Sequence, residues 1–146
     1  MTLSPALHTW LDAQGFPADN LNATIQNRTT PLMQAARMGD HAIAAELIRH
    51  GADLNATNND GNNALWLACF NGDPKLIGLL IASGIALNNQ NDNGATCLMY
   101  AASASKTEVV AQLLKAGADT QAKSLDDFTA LDVAGNLACL TLLRRA

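Results

Sequence analysis

The sequence predicts an all-α fold, an α-solenoid of helix-turn-helix units joined by short β-turn fingers. Three observations carry this expectation. Leu32, Leu65, Leu98 and Leu131 recur at intervals of 33, and Ala35, Ala68, Ala101 and Ala134 keep the same interval. Gly51, Gly84 and Gly117 hold the register, together with Leu47, Leu80 and Leu113. Between these positions, short apolar segments with helical spacing alternate with polar runs that contain Asp60-Gly61 and Asn93-Gly94. A fixed period of this length marks a chain whose units bury their apolar faces against one another.

The elements follow in order. Ser4 can cap a first helix with Pro5 at its first position, and Leu7, Trp10 and Leu11 form its apolar stripe. Residues 1–29 therefore read as a capping helix and finger without a full inner helix. Each unit then opens on a segment such as Pro31 to Met38 or Cys97 to Ala104, with Leu at one position and Ala three and four later, a narrow face suited to close packing. Gly39 and Gly72 end two of these segments. A second segment, such as His41 to Arg49, lines up Ile43, Ala44, Leu47 and Ile48 before Gly51. The Asp-Gly and Asn-Gly pairs then call for tight turns. The units fall at 30–62, 63–95 and 96–128. Residues 129–146 form a truncated closing unit, because aligning Leu142-Leu143 with Leu113-Leu114 requires a four-residue deletion. Both ends read as closed, which makes the chain a complete small protein with its terminal apolar faces covered.

The motif stands as Thr30-Pro-Leu-Met-Gln-Ala-Ala36, Asn63-Ala-Leu-Trp-Leu-Ala-Cys69, Thr96-Cys-Leu-Met-Tyr-Ala-Ala102 and Thr129-Ala-Leu-Asp-Val-Ala134. The closing motif stands as Gly51-Ala-Asp53, Gly84-Ile-Ala86 and Gly117-Ala-Asp119. From Thr30 to the C-terminus this pattern resembles the ankyrin repeat. It departs from that family where a motif histidine normally ties neighbouring loops, since Met33, Trp66, Met99 and Asp132 stand there. That departure implies fingers held by packing and turn chemistry, and more mobile than in a consensus array.

Composition excludes several classes of function. The 146 residues include 49% apolar but only 15% charged side chains, which excludes a disordered chain. A net charge of −4 argues against binding driven by a nucleic acid backbone. The longest apolar stretch, Leu76 to Leu87, is interrupted by Ser83-Gly84 and is too short for a membrane span. No basic leader precedes a long apolar run, so the sequence reads as that of a cytoplasmic protein. Cys69, Cys97 and Cys139 lack metal-site or disulfide-framework spacing and read as reduced core residues. His8, His41 and His50 fall at helix-flanking or outward positions, and no phosphate loop, zinc helix or nucleophile elbow occurs. The expectation is a non-enzyme with no cofactor and no metal.

The resemblance implies a protein partner, met on the concave face formed by the fingers and the exposed side of the inner helices. Carried over position by position, the contacts are Arg37, Met38, Phe70, Asn71, Tyr100 and Ser103 on the helices. On the fingers they are Asn59, Asp60, Asn62, Asp92, Asn93, Asp126 and Phe128. Phe70 stands out as an outward aromatic in an aromatic-poor chain, either as an anchor for a partner or as a cover folded against Met38 or Tyr100. Trp66 reads as packing. Asp60, Asp92, Asp126 and Asp127 form an acidic row that would steer a basic partner, while Asp and Asn also occur in turns for backbone reasons alone. The unbound chain reads as a monomer. A different reading of the same face is stoichiometric inhibition or chaperoning of an enzyme or toxin.

Overall fold

The computed structural model describes residues 2–146; Met1, the first residue of the expected cap, lies outside them. Among the described residues there are nine α-helices and no named strand. They are α1 (Pro5–Gln14), α2 (Pro31–Met38), α3 (His41–Arg49), α4 (Ala64–Asn71), α5 (Pro74–Ala82), α6 (Cys97–Ser103), α7 (Thr107–Lys115), α8 (Ala130–Val133) and α9 (Leu137–Arg145).

The inner helices α2, α4, α6 and α8 pack on one another in succession. Each starts in the same way. Thr30, Asn63, Thr96 and Thr129 cap them by accepting the amide hydrogen of the third helical residue, which is Met33, Trp66, Met99 and Asp132 respectively. The outer helices lie behind, with α1 on α3, α3 on α5 and α7 on α9. The periodic leucines and alanines form one continuous buried row: Leu32, Leu65 and Leu98 are buried, as are Ala35, Ala68 and Ala101 and the outer-helix residues Leu47, Leu80 and Leu113. Alanine in the inner row lets the helices approach closely, and each buried leucine contributes about 1.5–3 kcal/mol.

The fingers, residues 25–29, 58–62, 91–95 and 124–128, project to one side. Their order comes in part from turn chemistry, as the sequence implies, and in part from hydrogen bonds between neighbouring fingers, where asparagine stands in for the missing motif histidine. Asn59 N donates to Asn27 O, Asp92 N to Asp60 O, and Leu125 N to Asn93 O, so neighbouring fingers are joined backbone to backbone. Within the turns, Asn58 Oδ1 accepts from the amides of Asp60 and Asn62, and Asn91 Oδ1 accepts from those of Asn93 and Ala95. Asn91 Nδ2 also donates to Asn62 Oδ1 across the finger boundary at 2.9 Å. In the loops that lead into the fingers, Asn22, Asn55 and Asn88 accept from the amides of Asp53, Ala86 and Asp119, one unit on. Gly61 shows how tight this zipper is. At φ 80° its Cβ would stand 2.9 Å from the Asp92 amide nitrogen, so a larger residue there meets both strain and backbone.

The N-terminal end is closed by α1. Leu7 and Leu11 are buried, and Trp10 stacks on Phe16 with ring centroids 6.1 Å apart. Ser4 caps the helix through Oγ and also ties it to α3, because its amide and hydroxyl both donate to the Glu46 carboxylate. The C-terminal end departs from the expectation of a covered face. The deletion cuts α8 to four residues, and Gly135 closes directly onto α6, its amide donating to Ala102 O. A Cβ on Gly135 would meet Ser103 O at 2.6 Å. Among the described residues none stacks beyond α8; Leu131 is 37% exposed although its counterparts are buried, and Leu137 is 74% exposed.

Candidate functional site

The concave side of the stack is bounded by the finger tips on one edge and by the exposed faces of α2, α4 and α6 on the other. Two periodic rows of the inner helices face it. One row is Gln34, Leu67, Tyr100 and Val133, and the other is Arg37, Phe70 and Ser103. Gln34, Arg37 and Ser103 are polar, and the middle of the groove is aromatic. Trp66 lies against Tyr100 with centroids 4.4 Å apart, and Phe70 lies 6.4 Å from Tyr100 on the next helix. Lys106 crosses behind them, its Nζ donating to Phe70 O at 2.7 Å and standing about 6 Å from both the Phe70 and Tyr100 rings.

This aromatic ridge divides the groove into two depressions. The larger, about 500 Å³, runs across the second and third units to the start of the fourth, and Trp66, Tyr100, Asn93, Ser103, Asp126 and Phe128 line it along with Asn91, Ala95, Met99, Ser124 and Val133. The smaller, about 280 Å³, lies towards the first unit and brings Arg37, Asp60, Phe70 and Tyr100 together with Trp66, Leu67 and the turn asparagines. Phe70 is therefore partly a cover over Tyr100, yet it remains 51% exposed.

The other contacts expected from the sequence are placed differently. Met38 is exposed at the end of α2, and Asn59 and Asp92 are exposed on the finger tips, but none of the three lines either depression. Asn71 is exposed and bound to the backbone, with Nδ2 donating to Arg37 O and the amide group packed over Gly39. Asn62 is buried, with its Oδ1 occupied by Asn91, and it lines the smaller depression from inside the finger zipper. Trp66 is half-buried and packs against the core, and it also lines both depressions. It stands in register with Met33 and Met99, which are buried, and its larger ring overflows that site into the groove.

Burial pushes the Tyr100 hydroxyl up. Behind the groove, the Cys97 thiol beside Cys69, together with burial, pushes Cys69 far above the ordinary thiol range, which removes its nucleophilic character. All three cysteines are free and buried. His50 lies against Glu46 at 3.4 Å on the opposite side of the molecule. Among the described residues no three His, Cys, Asp or Glu side chains converge to hold a metal ion. No helix among them is long and apolar enough to cross a membrane.

The family profile described as ankyrin repeats (3 copies) matches residues 4–91 and again 67–145, which together span nearly the whole chain. The chain belongs to the ankyrin repeat family. Ankyrin repeats are in general protein-protein interaction modules and are typically non-catalytic. No curated protein matches the chain. The helical architecture agrees with the ankyrin solenoid, and the groove described above is the concave face of this ankyrin stack.

Proposed function

We propose that the protein is a non-catalytic recognition module, monomeric when unbound and cytoplasmic, that holds a partner protein in its concave groove. The observation that carries this reading is the distribution of aromatic residues. The chain has three Phe, two Trp and one Tyr. Trp10 and Phe16 stack together in the cap, whereas Trp66, Phe70, Tyr100 and Phe128 all lie along the groove. Phe70 and Phe128 are each about half exposed, an unfavourable use of scarce aromatic surface unless something covers it. Rigid aromatic side chains in a partly enclosed groove are the residues that dominate binding energy at protein interfaces. Arg37, Met38, Asn59, Asp60, Asp92, Asn93, Ser103 and Asp126 would form the polar rim around them.

The test is Phe70→Glu. Its native contacts are one tilted aromatic pair and a distant cation, so stability falls by no more than about 1.5 kcal/mol. Capture of a partner from native extract is lost. Unfolding of the variant, or capture unchanged from the wild type, would remove the support for this site.

A further inference from the structure

The finger residues divide into those that hold the turns and those that do not. Asn58 and Asn91 accept the turn amides through Oδ1, and Ser124 Oγ accepts from Phe128 N. The carboxylates of Asp60, Asp92 and Asp126 do none of this. They are exposed, and among the described residues none has a hydrogen-bond or ion-pair partner. Turn propensity therefore does not account for the acidic row, because neighbouring residues already supply the turn chemistry. The backbone bonds from Asp92 N to Asp60 O and from Leu125 N to Asn93 O set the tips side by side, so the three carboxylates stand on successive fingers, Asp60 at the smaller depression, Asp126 at the larger and Asp92 on the tip between them.

Behind these tips lies the larger depression, walled by the rings of Trp66, Tyr100 and Phe128 and by Asp126, with no lysine or arginine in its lining. The nearby cations are engaged or lie elsewhere. Lys106 is bound to Phe70 O, Lys123 stands 3.5 Å from Asp127, and Arg37 lines the smaller depression on the other side of the aromatic ridge. Aromatic walls with an unpaired carboxylate are complementary to a cation on a long aliphatic stem, since the stem covers the rings while the head meets both the ring faces and the carboxylate. An acidic occupant would face the unpaired Asp126 carboxylate. A purely apolar one would strip water from Asp126 without offering it a partner.

We propose that this depression receives an arginine or lysine side chain from an extended segment of the partner protein, its stem lying on Tyr100 and Phe128 and its charge paired with Asp126, with Asp92 and Asp60 steering its approach. This rests on the reading of the groove as the partner site and adds the chemistry of what is bound.

The experiment is a selection of short random peptides displayed on phage against the intact protein, followed by affinity measurements on Phe70→Glu and Asp126→Asn. Asp126 is exposed and unpartnered, so Asp126→Asn leaves the fold unchanged. The expected peptides carry Arg or Lys. Replacing that residue by Ala weakens binding about tenfold, Asp126→Asn weakens it about fivefold, and added salt weakens the wild-type complex. Peptides that lose binding with Phe70→Glu but carry no basic residue, or that bind Asp126→Asn unchanged, overturn this inference and leave the groove reading intact. Peptides indifferent to Phe70→Glu bind elsewhere and count against both. Failure to enrich any peptide overturns the inference, while the groove reading still stands on partner capture.

Discussion

Asn91→Ala is the substitution that most sharply probes how the fingers are held. Asn91 accepts two turn amides, those of Asn93 and Ala95, at 2.9 and 3.0 Å, and donates to Asn62 Oδ1 at 2.9 Å. The turn amides are near solvent and regain water, so their loss costs about 1 kcal/mol or less each. Asn62 does not, because it is only 6% exposed. Leaving its carbonyl oxygen unpaired costs about 1–3 kcal/mol. The total is about 1–5 kcal/mol, which lowers Tm by about 3–15 °C for a chain of this size. Asn88→Ala is the control. It removes one exposed bond, from the Asp119 amide, and none to a buried acceptor, so it costs about 1 kcal/mol or less. Urea and thermal unfolding followed by circular dichroism read both. A loss within about 0.5 kcal/mol for Asn91→Ala, or equal losses for the two variants, would refute the idea that asparagines stand in for the motif histidine.

Other consequences are open to measurement. Leu65→Ala, in the fully buried row, should cost about 2–5 kcal/mol, while Leu131→Ala at the uncovered end should cost about 1 kcal/mol or less; equal costs would mean that the last unit is covered in solution. The Ser4 hydroxyl and amide hold the Glu46 carboxyl below its ordinary 4.5. Its contribution is therefore complete above that value and is lost as pH falls through the depressed pKa. Glu46→Gln should be less stable than wild type at neutral pH, and the gap should close on acidification; a gap independent of pH would contradict the assignment. Native protein should react slowly with a thiol reagent and release three thiols only on unfolding, since all three cysteines are buried; rapid labelling of any one would contradict that.

The repeat itself was legible because its determinants are side chains with a period: buried leucines, close-packing alanines and the capping Thr or Asn of each inner helix. The asparagine row at 22, 55 and 88 has the same period. Its role was hidden because each side chain binds a backbone amide 31 residues away, and a backbone amide has no letter in the sequence. The burial of Asn62 is hidden for a related reason, since an asparagine at a turn reads as exposed whether it faces water or the neighbouring finger. Trp66 reads as packing because it lies one position from the buried Leu65, and only the volume of the indole ring points towards the groove. The exposure of Leu131 depends on the absence of a stacked neighbour, which no property of the residue itself reveals. The Ser4–Glu46 tie joins positions 42 apart and carries no local pattern.

The claim that the aromatic concave face is the recognition surface is tested most directly by amide hydrogen exchange of the protein, alone and in complex with the partner captured from native extract. The account predicts slowed exchange on the groove side, in residues 66–71, 91–103 and 124–129. Protection confined to the outer helices α3, α5, α7 and α9, with the groove unchanged, would contradict it.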